Sequence, residues 1–405
     1  MNRQLIPAYL LTFVNVLGFS ILMPVLPFVI EDYGAPEWVY GLMLALYSAF
    51  QFIGAPILGA MSDRKGRKPI LMISQIGTLL SWVIFLAALY IPDVPLIGFA
   101  IPLWIIALSR VLDGITGGNI SVTNAYVSDI TTKKEKSYIF GYLGGVVGVG
   151  LVIGPGIGGL TASSSMGYSA TLVAAIIISS VALLSMFIWL KESHPIEKRT
   201  VSKPHSFIHN FLILRQIREL NPAPIIKLLF VLKLLFSIMS ACYMATIVLY
   251  IIDLFKFSPK EIGIFMLVVG VFLGFNQAVL SKWFIKNLGI FKTLVVGLAL
   301  STVGAVAITL TSDLYLYLVY YYVLNLGFSL CYPTFTALVS IYADPKKQGE
   351  VMGIYESINS FAMTAFPVLA AAIYGWIGFK VYYLMALLPL IALLIALKER
   401  RQFAN

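Results

Sequence analysis

Apolar runs of about 18 residues or more, each long enough to cross roughly 30 Å of hydrocarbon, recur from one end of this 405-residue chain to the other. In lipid every backbone N–H and C=O must find its partner inside the protein, so segments of this length that cross a bilayer are helices. Twelve such runs are read: 5–30, 38–62, 69–90, 96–127, 136–161, 168–190, 224–252, 260–284, 289–311, 313–342, 347–376 and 378–397. The first follows Arg3. It is too long for a signal-peptide core and lacks a small-residue cleavage site, so it is read as a spanning helix. Composition agrees. Hydrophobic residues make up 60% of the chain and charged residues 11%, against roughly 45–50% and 25% in soluble domains.

The net charge of +10 could suggest a polyanionic partner, but its distribution argues otherwise. Nearly all Lys and Arg fall at the two termini and in the loops after the second, fourth, sixth, eighth and tenth runs. The opposite loops carry only Lys256, Lys260 and Lys380, and Arg110 and Lys233 lie inside runs. This positive-inside bias places both termini in the cytoplasm and makes the basic balance an orientation signal, with no nucleic acid implied. Cys242 and Cys331 are too isolated for a disulfide framework or a thiolate metal site. His194, His205 and His209 share one polar loop and are read as solvated, so no metal site is expected. No Ser/His/Asp or Cys/His set has a plausible embedded geometry, and an enzyme is not expected.

The basic loop 191–223, beginning "KESHPIEKRTVSKPH", divides the runs into six and six. Shifting the chain by 212 residues superposes Ala125 on Ala337, Val127 on Val339, Ser128 on Ser340, Lys134 on Lys346, Gly141 on Gly353 and Pro155 on Pro367. The expected fold is therefore all-α: twelve transmembrane helices in two pseudo-symmetric six-helix bundles, 1–190 and 224–405, joined by a cytoplasmic linker at 191–223. Parallel repeats of this kind build two-bundle secondary transporters with a midplane substrate site between the halves.

In "SRVLDGITGGNIS" (109–121), Arg110 and Asp113 sit one turn apart in the middle of the fourth run. A charge at mid-bilayer costs at least about 2.5–3.5 kcal/mol on insertion scales, and an ionisable residue there is functional by default. In the repeat register Asp113 meets Asn325 and Arg110 meets Tyr322. The pair thus belongs to one half only, which a purely architectural need does not explain. A neighbouring arginine favours the aspartate anion, whereas desolvation favours the neutral acid. A balance of that kind suits a proton carrier.

Three motifs carry a family resemblance. "GAMSDRKGRKPIL" (59–71) resembles the signature loop of the major facilitator superfamily. Its residues Gly59, Asp63, Arg64, Gly66, Arg67 and Lys68 are identified with the cytoplasmic gating loop. Gly59 is expected to allow close helix approach, and Asp63 to accept from backbone donors at another helix N-terminus. The repeat position, "KWFIKNLGIFKTL" (282–294), keeps only Gly289 and Leu294. "RVLDGITGGNISVTNAYVSDIT" is similar to the fourth helix of drug:proton antiporters, especially tetracycline-efflux-like members. There Arg110 matches the arginine tied to proton coupling, Asp129 joins the loop charge network, and Gly114 and Gly118 make a small crossing surface. "GVGLVIGPGIGG" resembles the antiporter motif through Gly150, Gly154, Pro155, Gly158 and Gly159. The first run, "NVLGFSILMPVLP", fits the same branch, but Asn15 stands where many members carry Asp. An amide cannot take up a proton, so the resemblance leaves the coupling carboxylate to Asp113 or to Glu356 in "GEVMGIYESINSF".

Polar and aromatic residues expected to line a substrate cavity are Asn15, Tyr47, Gln51, Asn119, Asn124, Tyr243, Asn325 and Asn359. Lys233 is expected to snorkel to the cytoplasmic surface. The resemblance implies a proton-coupled exporter of small hydrophobic or amphipathic compounds, working by alternating access in a bacterial inner membrane. Protons are its coupling ion, no other cofactor is expected, the bilayer and a small-molecule substrate are its partners, and the working unit is a monomer. An importer or facilitator of the same fold is the first alternative, since fold does not fix function. A non-transporting receptor or scaffold is the second, and gating parts count against it.

Overall fold

The computed structural model describes residues 3–195, 217, 218, 220–344 and 347–403. For 133–138 and 349 it describes the backbone only. Most of the expected linker, with His205 and His209, therefore lies outside the described residues.

Among the described residues ten helical segments are long and apolar enough to cross a membrane. The last, Glu350–Lys398, holds two helices, and Leu5–Ser20 with Leu26–Asp32 supplies the remaining pass, giving the twelve expected. In chain order the first half comprises α1 (Leu5–Ser20), α2 (Leu26–Asp32), α3 (Glu37–Lys65), α4 (Arg67–Ala88), α5 (Ile101–Gly117), α6 (Ile120–Asp129), α7 (Lys133–Ala162) and α8 (Tyr168–Trp189). The second comprises α9 (Pro224–Phe255), α10 (Pro259–Phe275), α11 (Ser281–Leu288), α12 (Ile290–Ala307), α13 (Leu314–Tyr342), α14 (Gln348–Ile377) and α15 (Val381–Lys398). Two two-residue strands, Pro95–Leu96 and Phe99–Ala100, pair antiparallel between α4 and α5.

Three passes are not the continuous helices their apolar runs suggest. The first breaks after Ser20, because Pro24 and Pro27 have no N–H to continue the ladder. The fourth breaks at Gly118 and Asn119, between α5 and α6. The eighth carries a wide π turn, Asn276–Leu280, between α10 and α11.

Contacts group the chain into two compact units. One is Met1–Pro204 with Phe257–Gly270; the other is His205–Lys256 with Val271–Asn405. The internal repeat is written in the backbone as well. Gly66 joins α3 to α4 at φ 100°, ψ 157°, and Gly289 joins α11 to α12 at φ 84°, ψ 162°. Gly167 precedes α8 at φ 56°, ψ −139°, and Gly378 ends α14 at φ 59°, ψ −143°. Side chains with a Cβ are disfavoured at these positive φ angles.

Helix α4 shows how the passes are sided. Ile73, Ile76, Leu80 and Val83 are exposed, whereas Ser74, Thr78, Ser81, Trp82 and Phe85 are buried. The outward side chains are apolar, while the hydroxyls are turned inward beside Trp82 and Phe85, the arrangement expected in hydrocarbon. Helices α3 and α5 approach to backbone contact. A Cβ on Gly54 would collide with the Ile115 carbonyl, one on Gly114 would lie 2.5 Å from the Tyr47 carbonyl oxygen, and one on Gly118 would collide with the Ala55 nitrogen. This crossing presents Arg110 and Asp113 to the interior of the first unit.

Candidate functional site

Arg110 and Asp113 are each 2% exposed. Arg110 Nη1 lies 3.2 Å from Asp113 Oδ2 and donates to the Gly18 carbonyl at 3.2 Å. The guanidinium carbon stands 5.0 Å from the Trp82 ring centre and 5.5 Å from that of Phe85. Gly18 makes room for the carboxylate: a Cβ there would fall 3.1 Å from Asp113 Oδ2 and 3.7 Å from Tyr47 Oη. The site is not saturated, since Arg110 Nε and Nη2 have no hydrogen-bond partner. Buried donors are nearly always paired in folded proteins, so this is a charge pair held with spare valence.

A buried polar chain runs beside it. Asn15 Nδ2 donates to Asn119 Oδ1 at 2.6 Å, Asn119 Nδ2 to Ser74 Oγ at 2.5 Å, and Ser74 Oγ to the Thr116 carbonyl at 2.6 Å. Thr116 Oγ1 meets Thr78 Oγ1 at 2.9 Å. Tyr47 Oη donates to the Asn15 carbonyl at 3.1 Å, and Gln51 Nε2 lies 3.2 Å from Tyr47 Oη and 3.4 Å from the Gly117 carbonyl. The break between α5 and α6 makes this possible, because it turns Asn119 into the unit and leaves carbonyls for side chains to reach. Asn15, Tyr47 and Asn119 are thus gathered into one network, with Gln51 half-buried at its edge, while Asn124 is exposed. The quartet Ser74, Thr78, Ser81 and Thr116 was not picked out from sequence. Its signal is the i, i+4, i+7 spacing of small hydroxyls on α4, a polar stripe at helical period.

At the end of α3 the gating-loop residues form a compact charge cluster. Arg67 Nη1 contacts Asp63 Oδ1 at 2.6 Å and Ser62 Oγ at 2.6 Å, and its Nε reaches Asp129 Oδ2 at 3.3 Å. Arg67 thus ties the α3–α4 junction to the end of α6, contacting both Asp63 and Asp129. Two expectations are corrected. The carboxylate on the amides at the start of α4 is Glu192, which accepts from the Arg67 and Lys68 N–H groups at 2.8 and 3.2 Å; Asp63 pairs with the Arg67 side chain. And Gly59 is not at a tight crossing. A Cβ there would sit 3.6 Å from Ser121 Oγ, an ordinary contact, because the close approach lies five residues earlier at Gly54. Anions at a helix N-terminus contribute about 0.3–2 kcal/mol. Glu192→Gln is therefore expected to lower the stability of the purified protein by that order, read as a fall in Tm that high salt reduces.

The antiporter motif is a packing device against α1. A Cβ on Gly150 would lie 2.8 Å from Val16 Cγ1, and on Gly154 and Gly158 it would collide with Ser20 Oγ and the Ile21 carbonyl. One on Gly159 would lie 2.8 Å from Gly263 Cα. Pro155 sits inside α7 without ending it.

In the second unit Tyr243 Oη meets Tyr321 Oη at 2.5 Å, and Asn325 Nδ2 donates within its own helix to the Tyr321 carbonyl at 2.9 Å. Asn359 and the exposed Glu356 line a pocket of about 630 Å³. Lys233 lines it too and corrects the snorkelling expectation. It is 2% exposed, turned inward by the aromatic rings around it rather than outward to solvent.

Residues 8–365 match the Major Facilitator Superfamily. The class H tetracycline resistance protein of Pasteurella multocida is 29% identical over 388 residues, covering 93% of this chain and 90% of the relative. Multidrug resistance protein 2 of Bacillus subtilis (strain 168) is 28% identical over 363 residues, covering 89% and 86%. A solved POT family transporter in complex with 5-aminolevulinic acid shares the fold, with a TM-score of 0.79 at 14% identity over 100% of this chain and 97% of that one. The chain is an integral membrane protein that transports small molecules and performs no enzymatic reaction, and it belongs to the major facilitator superfamily.

Proposed function

We propose that the protein is a proton-coupled exporter of small hydrophobic or amphipathic compounds, working as a monomer by alternating access. It sits in a bacterial cytoplasmic membrane with both termini inside. The observation that carries this reading is the buried Arg110–Asp113 pair with two guanidinium nitrogens unpaired. Truncating one partner of a buried pair is costly, and a pair kept for stability alone is usually replaceable by apolar packing. A pair kept with spare donors, against Tyr47 and Gly18, suits a group that changes partners as a proton arrives and leaves. Asn15 offers an amide where a carboxylate would serve, so Asp113 is the proton carrier in this reading and Arg110 its partner. The similarity to efflux relatives supports export as the direction and suggests the first compounds to try.

Proteoliposomes with an imposed pH gradient test it. Tetracycline and a second amphipathic drug should accumulate on the acidic side, and the accumulation should collapse when an ionophore dissipates the gradient. Binding of either compound with flux indifferent to the gradient would sink the coupling.

A further inference from the structure

The coupling scheme uses no ionisable group of the second unit, yet a buried cation lies there. Lys233, on α9, is almost fully buried, and its Nζ stands 4.6 Å from the centre of the Tyr355 ring, 5.6 Å from Tyr332 and 6.0 Å from Phe236. Among the described residues no carboxylate comes within salt-bridge distance of it, and Glu356 acts on it only at longer range. Ring faces attract a cation, but they offset only part of the cost of removing it from water. The phenol oxygens are engaged elsewhere. Tyr332 Oη meets Ser240 Oγ at 2.5 Å, and Tyr355 Oη meets Thr336 Oγ1 at 3.0 Å. What remains open beside the lysine is the pocket of about 630 Å³, a size that suits a drug-like solute.

We infer that this pocket binds the carboxylate of an amphipathic organic acid with a planar apolar body, Lys233 being the counter-ion. This deepens the export reading above and rests on it, naming the substrate class the second unit selects. The aromatic faces of Tyr332 and Tyr355, with Pro333 and Ala337, supply walls for the apolar body. Asn359 takes one bond from Ser237 Oγ at 3.4 Å and stands at the pocket wall, where its amide can meet a polar substituent. Glu356 is the acidic residue of the lining. It acts on Lys233 electrostatically without reaching salt-bridge distance, and its charge disfavours a second negative group on the solute. Monocarboxylates are therefore preferred over dicarboxylates and phosphates.

The test is equilibrium binding to the purified full chain in lipid nanodiscs, with empty nanodiscs as the partition control and no pH gradient. The probes are 1-naphthoate, 1-naphthylmethylammonium and 1-naphthalenemethanol, which share a ring and differ in charge. Wild type should bind naphthoate about tenfold or more tightly than either other probe. Lys233→Met should erase that preference while keeping the alcohol's affinity, Lys233→Arg should retain it, and Glu356→Gln should leave naphthoate binding unchanged or tighter. Naphthoate binding to Lys233→Met at wild-type affinity, or a wild type that favours the ammonium probe or no probe, overturns the inference. If Lys233→Met does not fold, wild-type selectivity and the Lys233→Arg and Glu356→Gln variants decide it. Because no gradient is present, a negative result leaves proton coupling standing. Loss of coupling in Asp113→Asn in turn leaves the Lys233 preference standing.

Discussion

Asp113→Asn should reduce gradient-driven accumulation to simple equilibration while leaving substrate binding near wild type. A gradient of one pH unit supports about tenfold accumulation per proton exchanged, since each 1.4 kcal/mol is a factor of ten. The variant should hold a ratio near one under the same gradient. The side chain keeps its shape, so the space beside Gly18 and Tyr47 stays filled, and what disappears is the titratable oxygen. Proton release on substrate binding, measured on the solubilised protein, should vanish with it. If the variant still releases protons and still concentrates substrate, Asp113 is structural and Glu356 becomes the group to test. Moving the acid to Asn15→Asp in the same background is less simple than the family pattern suggests. Asn15 now donates to Asn119 Oδ1, and a carboxylate there would face that oxygen unless the Asn119 amide turns over.

Gly158→Ala and Gly148→Ala should move stability in opposite directions although they are the same change on the same helix. A methyl on Gly158 collides with the Ile21 carbonyl, a backbone atom that cannot swing aside, whereas a methyl on Gly148 meets nothing within 4 Å. Overpacking of this kind costs about 1–3 kcal/mol. At the open position alanine removes the entropic penalty of a helical glycine, a gain of roughly 0.5–1 kcal/mol. Thermal unfolding of the purified variants should show Gly158→Ala well below wild type and Gly148→Ala at or above it. Equal Tm values would mean that α1 and α7 do not pack as described.

The difference between those glycines marks how far the sequence could be read. Apolar runs, glycine motifs and the repeat announce helices and crossings, because spacing along one chain dictates them. The Arg110–Asp113 pair was visible for the same reason, as two charges in an apolar run. Contacts that depend on which faces meet were not visible. Glu192 lies 125 residues from the amide it caps in a loop that otherwise reads as a basic linker. Lys233 was indistinguishable from a snorkelling lysine until Tyr332 and Tyr355, about a hundred residues away in sequence, closed around it. Gly59 fits its signature, but nothing in the signature says that the tight crossing is at Gly54.

The break at Gly118 and Asn119 has a mechanical consequence. Arg110 and Asp113 ride on α5, and Asp129, held by Arg67, rides on α6. A continuous helix would couple those two ends as a rigid shaft, so any tilt imposed at the cytoplasmic cluster would be delivered to the buried pair. Two segments meeting at a joint behave as a linkage. Such a linkage would let a tilt at the Asp63–Arg67–Asp129 cluster be taken up at the joint, while α5 stays seated against α3 at Gly54 and Gly114. Asn119, bonded on both sides of its amide, is the pin of that joint.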